Sequence, residues 1–310
     1  MKKLLCALLT ALLLTGTVTA AYAADSDDPA SLKLSFVENY ELNYDYVDYA
    51  ELFHHYSGGQ CDWTLIYGAN TIFFDNTECS GEVCGRTITS PFTLAPFETG
   101  YGVYDAVNDE FCDILNLDGR ELPGLAEALD ELNIGTETGQ SAQNPIKDKF
   151  MQRFGFDDDN FFYNELYHHY NGAQSDWVLL KAKGLWYGEA TAGFCIFDRR
   201  VLTYMTYHPF ETGYGIYDAA KDEFFDLADV DENTYDGLAQ ALDELKIGVK
   251  NADADLNDVV DISDATEMQY FLASIKAPCY CARKTSDCNF DGDNDINDVT
   301  CLQMQLAGLA

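Results

Sequence analysis

Two acidic stretches near the end of the 310-residue chain constrain it more than any other feature. The first runs Asp253-Ala-Asp255-Leu-Asn257-Asp258-Val259-Val-Asp261-Ile-Ser-Asp264. The second runs Asp287-Cys-Asn289-Phe-Asp291-Gly292-Asp293-Asn-Asp295-Ile-Asn-Asp298, and equivalent positions lie 34 residues apart. A hard cation such as calcium takes about six to eight oxygens, which a loop of about twelve residues supplies from alternate positions and from its last residue. Here the side-chain oxygens come from Asp253, Asp255, Asn257 and Asp264, and from Asp287, Asn289, Asp291 and Asp298. Asp261 and Asp295 are placed to act through water, and Val259 and Asp293 to offer backbone carbonyls. The second loop has Gly292 where a sharp turn needs a left-handed residue. The first has Asp258 there, which adopts that conformation less readily. Two calcium ions are expected.

Each loop runs into an amphipathic helix. Ala265, Met268, Phe271, Leu272 and Ile275 follow helical spacing after the first loop, as do Val299, Leu302, Leu306 and Leu309 after the second. This order of loop, helix, spacer, loop and helix over about residues 251–310 resembles a type I dockerin, the calcium-dependent plug that secures cargo to cohesin domains in bacterial cellulosomes. The resemblance implies cohesin contacts through Ile262, Ser263, Ile296 and Asn297 of the loops and through Tyr270, Phe271, Met304 and Gln305 of the helices. So short a segment has a core worth only about 3–5 kcal/mol. Two carboxylates ~6 Å apart repel by roughly 3 kcal/mol at an effective dielectric of about 20, so the segment is expected to need calcium to fold.

The chain opens Met1-Lys2-Lys3, continues with an apolar run from Leu4 to Leu14 and reaches Ala21-Tyr22-Ala23, the pattern of a secretory signal peptide over residues 1–23. Secretion, with a cell-surface or scaffoldin-associated location, is the expectation. The run is too short to span a bilayer, and no other stretch is long and apolar enough, so no membrane insertion is expected. The formal charge of −35, or −37 without Lys2 and Lys3, argues against nucleic acid as a partner. Outside the signal stretch nine cysteines remain, an odd number. Cys79 and Cys84 are one candidate bridge. A second would join Cys279 or Cys281 to Cys288 or Cys301, with free thiols as the alternative.

Upstream, residues 31–249 contain a duplication. Glu51-Leu-Phe-His54-His55-Tyr56 recurs as Glu165-Leu-Tyr-His168-His169-Tyr170, and Asp62-Trp63 as Asp176-Trp177. Pro96-Phe-Glu98-Thr-Gly-Tyr101-Gly-Val-Tyr104-Asp105 recurs as Pro209-Phe-Glu211-Thr-Gly-Tyr214-Gly-Ile-Tyr217-Asp218. The expected domains are a first module over 31–136, a linker over 137–146, a second module over 147–249 and the calcium segment over 250–310. Within each copy the pattern suggests a helical end near His54-His55, a few antiparallel strands and a closing helix carrying Leu125, Leu129 and Leu132 or Leu238, Leu242 and Leu245. The expected fold class is α+β: two tandem modules of antiparallel sheet plus helix, then an all-α dockerin with two EF-hand-like loops.

Chemistry in the copies rests on duplicated residues. Glu98 with Asp62, and Glu211 with Asp176, are carboxylate pairs of the kind a glycosidase needs on either side of its scissile bond. Tyr101, Tyr104, Tyr214 and Tyr217 are candidate sugar-stacking platforms. The reading is a calcium-dependent cohesin-binding cargo subunit acting in polysaccharide degradation, with duplicated glycan- or protein-binding modules. A plant-polysaccharide glycoside hydrolase and a protein-interaction adaptor are the alternatives.

Overall fold

The computed structural model describes residues 29–75, 77–117, 119–137, 144–157, 161–171, 174–184, 188 and 190–309. The expected signal peptide and linker residues 138–143 lie outside the described residues. The first copy comprises helix α1 (Pro29–Asn39), strands β1 (Val47–Ser57), β2 (Gln60–Asp75), β3 (Cys79–Val83), β4 (Arg86–Ser90), β5 (Thr93–Asp105) and β6 (Glu110–Asp113), helix α2 (Leu125–Glu131) and strand β7 (Thr136–Glu137). The second repeats the plan with α3 (Pro145–Phe154), β8 (Phe161–Asn171), β9 (Gln174–Gly184), β10 (Ala192–Ile196), β11 (Arg199–Thr203), β12 (Pro209–Asp218), β13 (Glu223–Asp226), α4 (Leu238–Glu244) and β14 (Val249–Lys250). The C-terminal segment adds α5 (Ile262–Leu272), α6 (Tyr280–Thr285) and α7 (Ile296–Leu306).

Four antiparallel sheets result. Each copy has a four-stranded sheet, ordered β1-β2-β5-β6 or β8-β9-β12-β13, and a three-stranded one, β3-β4-β7 or β10-β11-β14. The molecule is therefore mostly β-sheet, which corrects the α+β expectation. The helical end expected at His54-His55 is strand in both copies, within β1 and β8. The run Val-Asp-Tyr-Ala-Glu-Leu-Phe-His-His-Tyr is rich in the β-branched and aromatic residues that fit a pleated surface. Nor is the C-terminal part the expected all-α domain. Its helices are short, at 11, 6 and 11 residues, with long loops between them. It leans on the sheets: Asp45 of the first copy accepts the Tyr280 and Cys281 backbone N–H groups at the start of α6, both at 2.9 Å. Among the described residues no helix is long and apolar enough to cross a membrane.

The long central strands explain why sheet wins. On β2, Trp63, Leu65 and Tyr67 point to one core while Ile66 points to another, and β9 alternates likewise with Trp177 and Leu179 against Val178 and Leu180. Both faces are apolar, so both must be covered. Helix α1 covers one face through Phe36, and α3 does the same through Phe150. The other faces meet in a single core drawn from both copies, with Ala50, Trp63, Leu65 and Leu129 beside Leu166, Trp177, Leu179 and Leu242. Asp48 of the first copy is paired with Lys181 and, at 3.0 Å, with Lys183 of the second. The Tyr101 hydroxyl of the first copy donates to Asn164 of the second.

The Pro-Phe-Glu-Thr-Gly-Tyr-Gly motif now has a physical meaning. Its first glycine, Gly100 or Gly213, turns at φ 81° or 83°. Its second, Gly102 or Gly215, lies under the motif's own phenylalanine: an added Cβ would come 2.3 Å from the Phe97 ring and 2.2 Å from the Phe210 ring. The strand thus folds its aromatic ring back onto itself. Gly102→Ala and Gly215→Ala should each destabilise the protein by about 1–3 kcal/mol through overpacking, read from urea unfolding monitored by tryptophan fluorescence.

Candidate calcium loops and the surfaces beside them

The last carboxylate of each loop organises the rest. Asp264 accepts the backbone N–H groups of Ala254, Asp255 and Asp261 at 2.7, 3.2 and 2.8 Å. Asp298 accepts those of Cys288, Asn289 and Asp295 at 2.9, 3.3 and 2.8 Å. Each also completes a capping box with Asp261 or Asp295, which fixes where α5 and α7 begin. Asp253 accepts from Asn257 and Asp258, and Asp255 from Asn257, so the loop curls around its own acids. The fourth residue of each loop is left-handed, Leu256 at φ 66° and Phe290 at φ 62°.

The donor set fits a hard cation. Oxygens of Asp253, Asp255 and Asp264 lie within 4.8 Å of one another. Asp253 and Asp264 are fully buried. Burial, reinforced by its acidic neighbours, pushes the Asp253 carboxyl up to about 8, and burial pushes Asp264 up to about 6 and raises Asp255. Carboxylates held this way call for a positive charge among them. The second loop is more open, with Asn289, Asp291 and Asp293 exposed, but Asp287 Oδ1 is buried without a hydrogen-bond partner. Calcium held by these residues would neutralise the acids and join loop to helix.

Asp258, the poor substitute for glycine, has its own partners. Its φ is 64°. Its carboxylate accepts from Arg199 at 2.8 Å and Lys246 at 2.9 Å, with Lys250 at 3.8 Å. These ion pairs hold a left-handed aspartate that would otherwise cost ~1 kcal/mol. Arg200 ties the start of the segment to the second loop: its Nε donates to the Asn251 side chain at 2.8 Å and its Nη2 to the Asp287 carbonyl at 2.7 Å. The first copy carries Thr87, Asn133 and Glu137 where the second carries Arg200, Lys246 and Lys250. That gain of positive charge in the second copy was the available signal, and reading the acidic loops by themselves missed it.

The residues that the resemblance assigns to cohesin lie on α5, α7 and their loops. Ile262 and Ile296 are 61% and 60% exposed, and Tyr270 and Met304 are 44% and 43%. Leu272 and Leu306, at 41% and 42%, are a further pair matched in exposure, on another side of each helix. Ser263, Asn297 and Gln305 are exposed, whereas Phe271 packs partly into the core.

The upstream candidates separate. Asp62 accepts His55 Nδ1 at 2.6 Å, and His55 stacks on Trp63 with ring centroids 5.2 Å apart; His169, Asp176 and Trp177 repeat the arrangement. Glu98 receives the Cys79 thiol at 3.3 Å, and its backbone N–H donates to Asp113. Asp113 pairs with Gly102, and the Asp62 carbonyl receives Ala106 N–H. The partners of these two anchors, Gly102 on β5 and Ala106 just past its end, are four residues apart, roughly 13 Å of extended chain at ~3.3 Å each, and the same register relates Glu211 and Asp176. Tyr101, Tyr104, Tyr214 and Tyr217 are all buried and offer no stacking face.

The structure instead brings together a cleft of about 620 Å³ lined by equivalent residues of both copies, among them His54, Tyr56, His168 and Tyr170. Tyr56 and Tyr170 are exposed at 61% and 59%. Glu51 and Glu165 are buried behind it, each accepting a tyrosine hydroxyl, Tyr49 at 3.3 Å and Tyr163 at 3.1 Å. Glu51 Oε2 lies 3.2 Å from His54 Nε2, off hydrogen-bonding geometry.

Raised carboxyl pKa values set the sign of one prediction. A folded-state pKa above the unfolded value means that the folded state binds the proton more tightly, so calcium-free stability is present at low pH and is lost as pH rises. With chelator present, the C-terminal segment should lose stability between roughly pH 4 and about 8. Calcium should remove that loss, because binding needs the deprotonated acids. Hydrogen exchange over 253–264 across this pH range, corrected for the intrinsic rate, checks it. No protein-family model, curated protein or solved structure matches this chain, and its chemistry rests on the residues described above.

Proposed function

We propose that the C-terminal segment is a calcium-dependent docking element for a cohesin domain, making the chain a cargo subunit of an extracellular cellulosome-type complex that acts on polysaccharide. The observation that carries the reading is the duplicated set of exposed apolar residues: Ile262 with Ile296, Tyr270 with Met304 and Leu272 with Leu306 match in exposure across the two helices. Exposed apolar side chains grouped beside acidic loops are what a partner surface looks like before it is covered. Calcium joins each loop to its helix and so sets where those residues point. In calorimetry a scaffoldin cohesin should bind the full chain with calcium and lose binding on adding EGTA. Ile262→Asp with Ile296→Asp should weaken binding at least ~100-fold, as expected for central apolar anchors. Binding that survives EGTA, or a double variant that binds like the parent, overturns the reading.

For the duplicated copies the favoured role is glycan binding rather than hydrolysis, in the cleft that carries Tyr56, Tyr170, His54 and His168. Its exposed rings supply stacking faces, and Glu131, Asp243 and Glu244 along it are exposed carboxylates that accept hydroxyls. In affinity electrophoresis, gels containing soluble xylan or hydroxyethyl cellulose should retard the parent chain, and Tyr56→Ala with Tyr170→Ala should migrate freely. Equal retardation of both proteins, or reducing-sugar release by the parent, rejects this role.

A further inference from the structure

We propose that Cys288 and Cys301 are a redox-active pair whose disulfide latches the second acidic loop onto helix α7. Cys288 is the second residue of that loop, and its backbone N–H donates to Asp298 at 2.9 Å. Asp298 stands in the first turn of α7, and Cys301 comes three residues later on the same helix face. Both cysteines pack in one cluster with Val299 and Leu302. Burial, together with the Cys301 thiol beside it, raises the Cys288 thiol well above its ordinary range. The Gln305 amide spans them as well, with Cys288 Sγ donating to Oε1 at 3.7 Å and Nε2 donating to Cys301 Sγ at 3.6 Å.

The other thiols considered for bridges are placed differently. Cys79 and Cys84 lie at opposite ends of β3, five residues apart, so roughly 17 Å of strand keeps them from bridging. Cys279 and Cys281 belong to another cluster, under the Asp45 cap. The equivalents of Cys288 and Cys301 in the first loop are Ala254 and Glu267, so only one loop can be latched. The asymmetry has a physical logic. The first loop is anchored to the sheets through Asp258, Arg199 and Lys246, whereas the second has Gly292 at that position and no side chain to anchor. A disulfide would supply by covalent closure the restraint that the first loop draws from ion pairs.

The step balances with a small-molecule disulfide such as oxidised glutathione. Cys301, the more exposed of the two, loses its proton and attacks one glutathione sulfur, expelling the other as a thiolate. Cys288 then loses its proton and attacks the Cys301 sulfur of the mixed disulfide, expelling the second glutathione. Two protein thiols are oxidised to one disulfide, and one glutathione disulfide is reduced to two thiols. Any effect on docking, through release of Gln305, rests on the cohesin reading above; formation of the bond does not.

The test uses the full chain with oxidised glutathione, then alkylation of remaining thiols and peptide mapping by mass spectrometry. A cross-linked peptide containing Cys288 and Cys301 is expected with or without calcium. In EGTA the oxidised protein should exchange amide hydrogens over 287–298 roughly a hundredfold more slowly than the reduced one, the gain for closing a loop of about fifteen residues, and dithiothreitol should reverse it. Cys288→Ser and Cys301→Ser should each abolish the protection, and Cys279→Ser with Cys281→Ser should leave it intact. Both thiols alkylated after oxidation, cross-linking to Cys279 or Cys281 instead, or unchanged exchange in the cross-linked chain overturns the proposal. Because the cross-link is read in the parent protein, a variant that fails to fold does not cloud the result, and a failure of cohesin binding leaves it untouched.

Discussion

A buried guanidinium must satisfy its N–H groups with protein partners, and Arg199 does so at the meeting point of three parts of the chain. Its side chain is only 2% exposed. It donates to the Ile247 and Gly248 carbonyls at the end of the closing helix, to Asp243 on that helix and to Asp258 in the first acidic loop. Arg86 makes the matching contacts in the first copy with Ile134, Gly135 and Asp130. The shared contacts pull each small sheet onto its helix. The extra one, to Asp258, carries the C-terminal segment. Arg199 itself is the buried charge here, and removing the groups that satisfy it is costly.

Duplication followed by divergence accounts for the asymmetry of the whole molecule. The two copies share strand order, motif glycines and the histidine–aspartate–tryptophan clamp. They differ where they touch things that are not duplicated. Arg200, Lys246 and Lys250 replace Thr87, Asn133 and Glu137 under the acidic loops. At the interface between copies, Asp48 pairs with Lys181 and Lys183, while Phe162 packs on Tyr67, and the two lysines lie over those rings at 4.8 Å from Tyr67 and 5.6 Å from Phe162. One copy supplies the carboxylate and the other both cations, so the copies are not interchangeable in position.

The C-terminal segment is consequently tied closely to the sheets. Strand β14 runs into the first loop with only two residues between, and the segment is held through Asp45, Arg199 and Arg200. The acids that repel one another in the first loop are partly offset from outside by this basic platform. The exposed apolar residues of α5 and α7 stay uncovered.

By itself the amino-acid sequence determined what depends on neighbours along the chain. The acidic loops, the presence of helices α5 and α7, the closing helices α2 and α4 and the duplication were legible, because turn chemistry and helical period act over a few residues, while α5 and α7 begin at Ile262 and Ile296, before the loops end. It misplaced β1 and β8, since Glu-Leu-Phe-His-His-Tyr suits helix or strand until a partner strand is supplied. It also offered Tyr101 and Tyr214 as open rings and Glu98 with Asp62 as a pair. Only the tertiary structure decided those points: the register of β5 sets the anchors of the two carboxylates apart, and the second copy closes over the tyrosines. Contacts between residues far apart in sequence follow from how the sheets pack, and no local pattern encodes which face a neighbouring copy will bury.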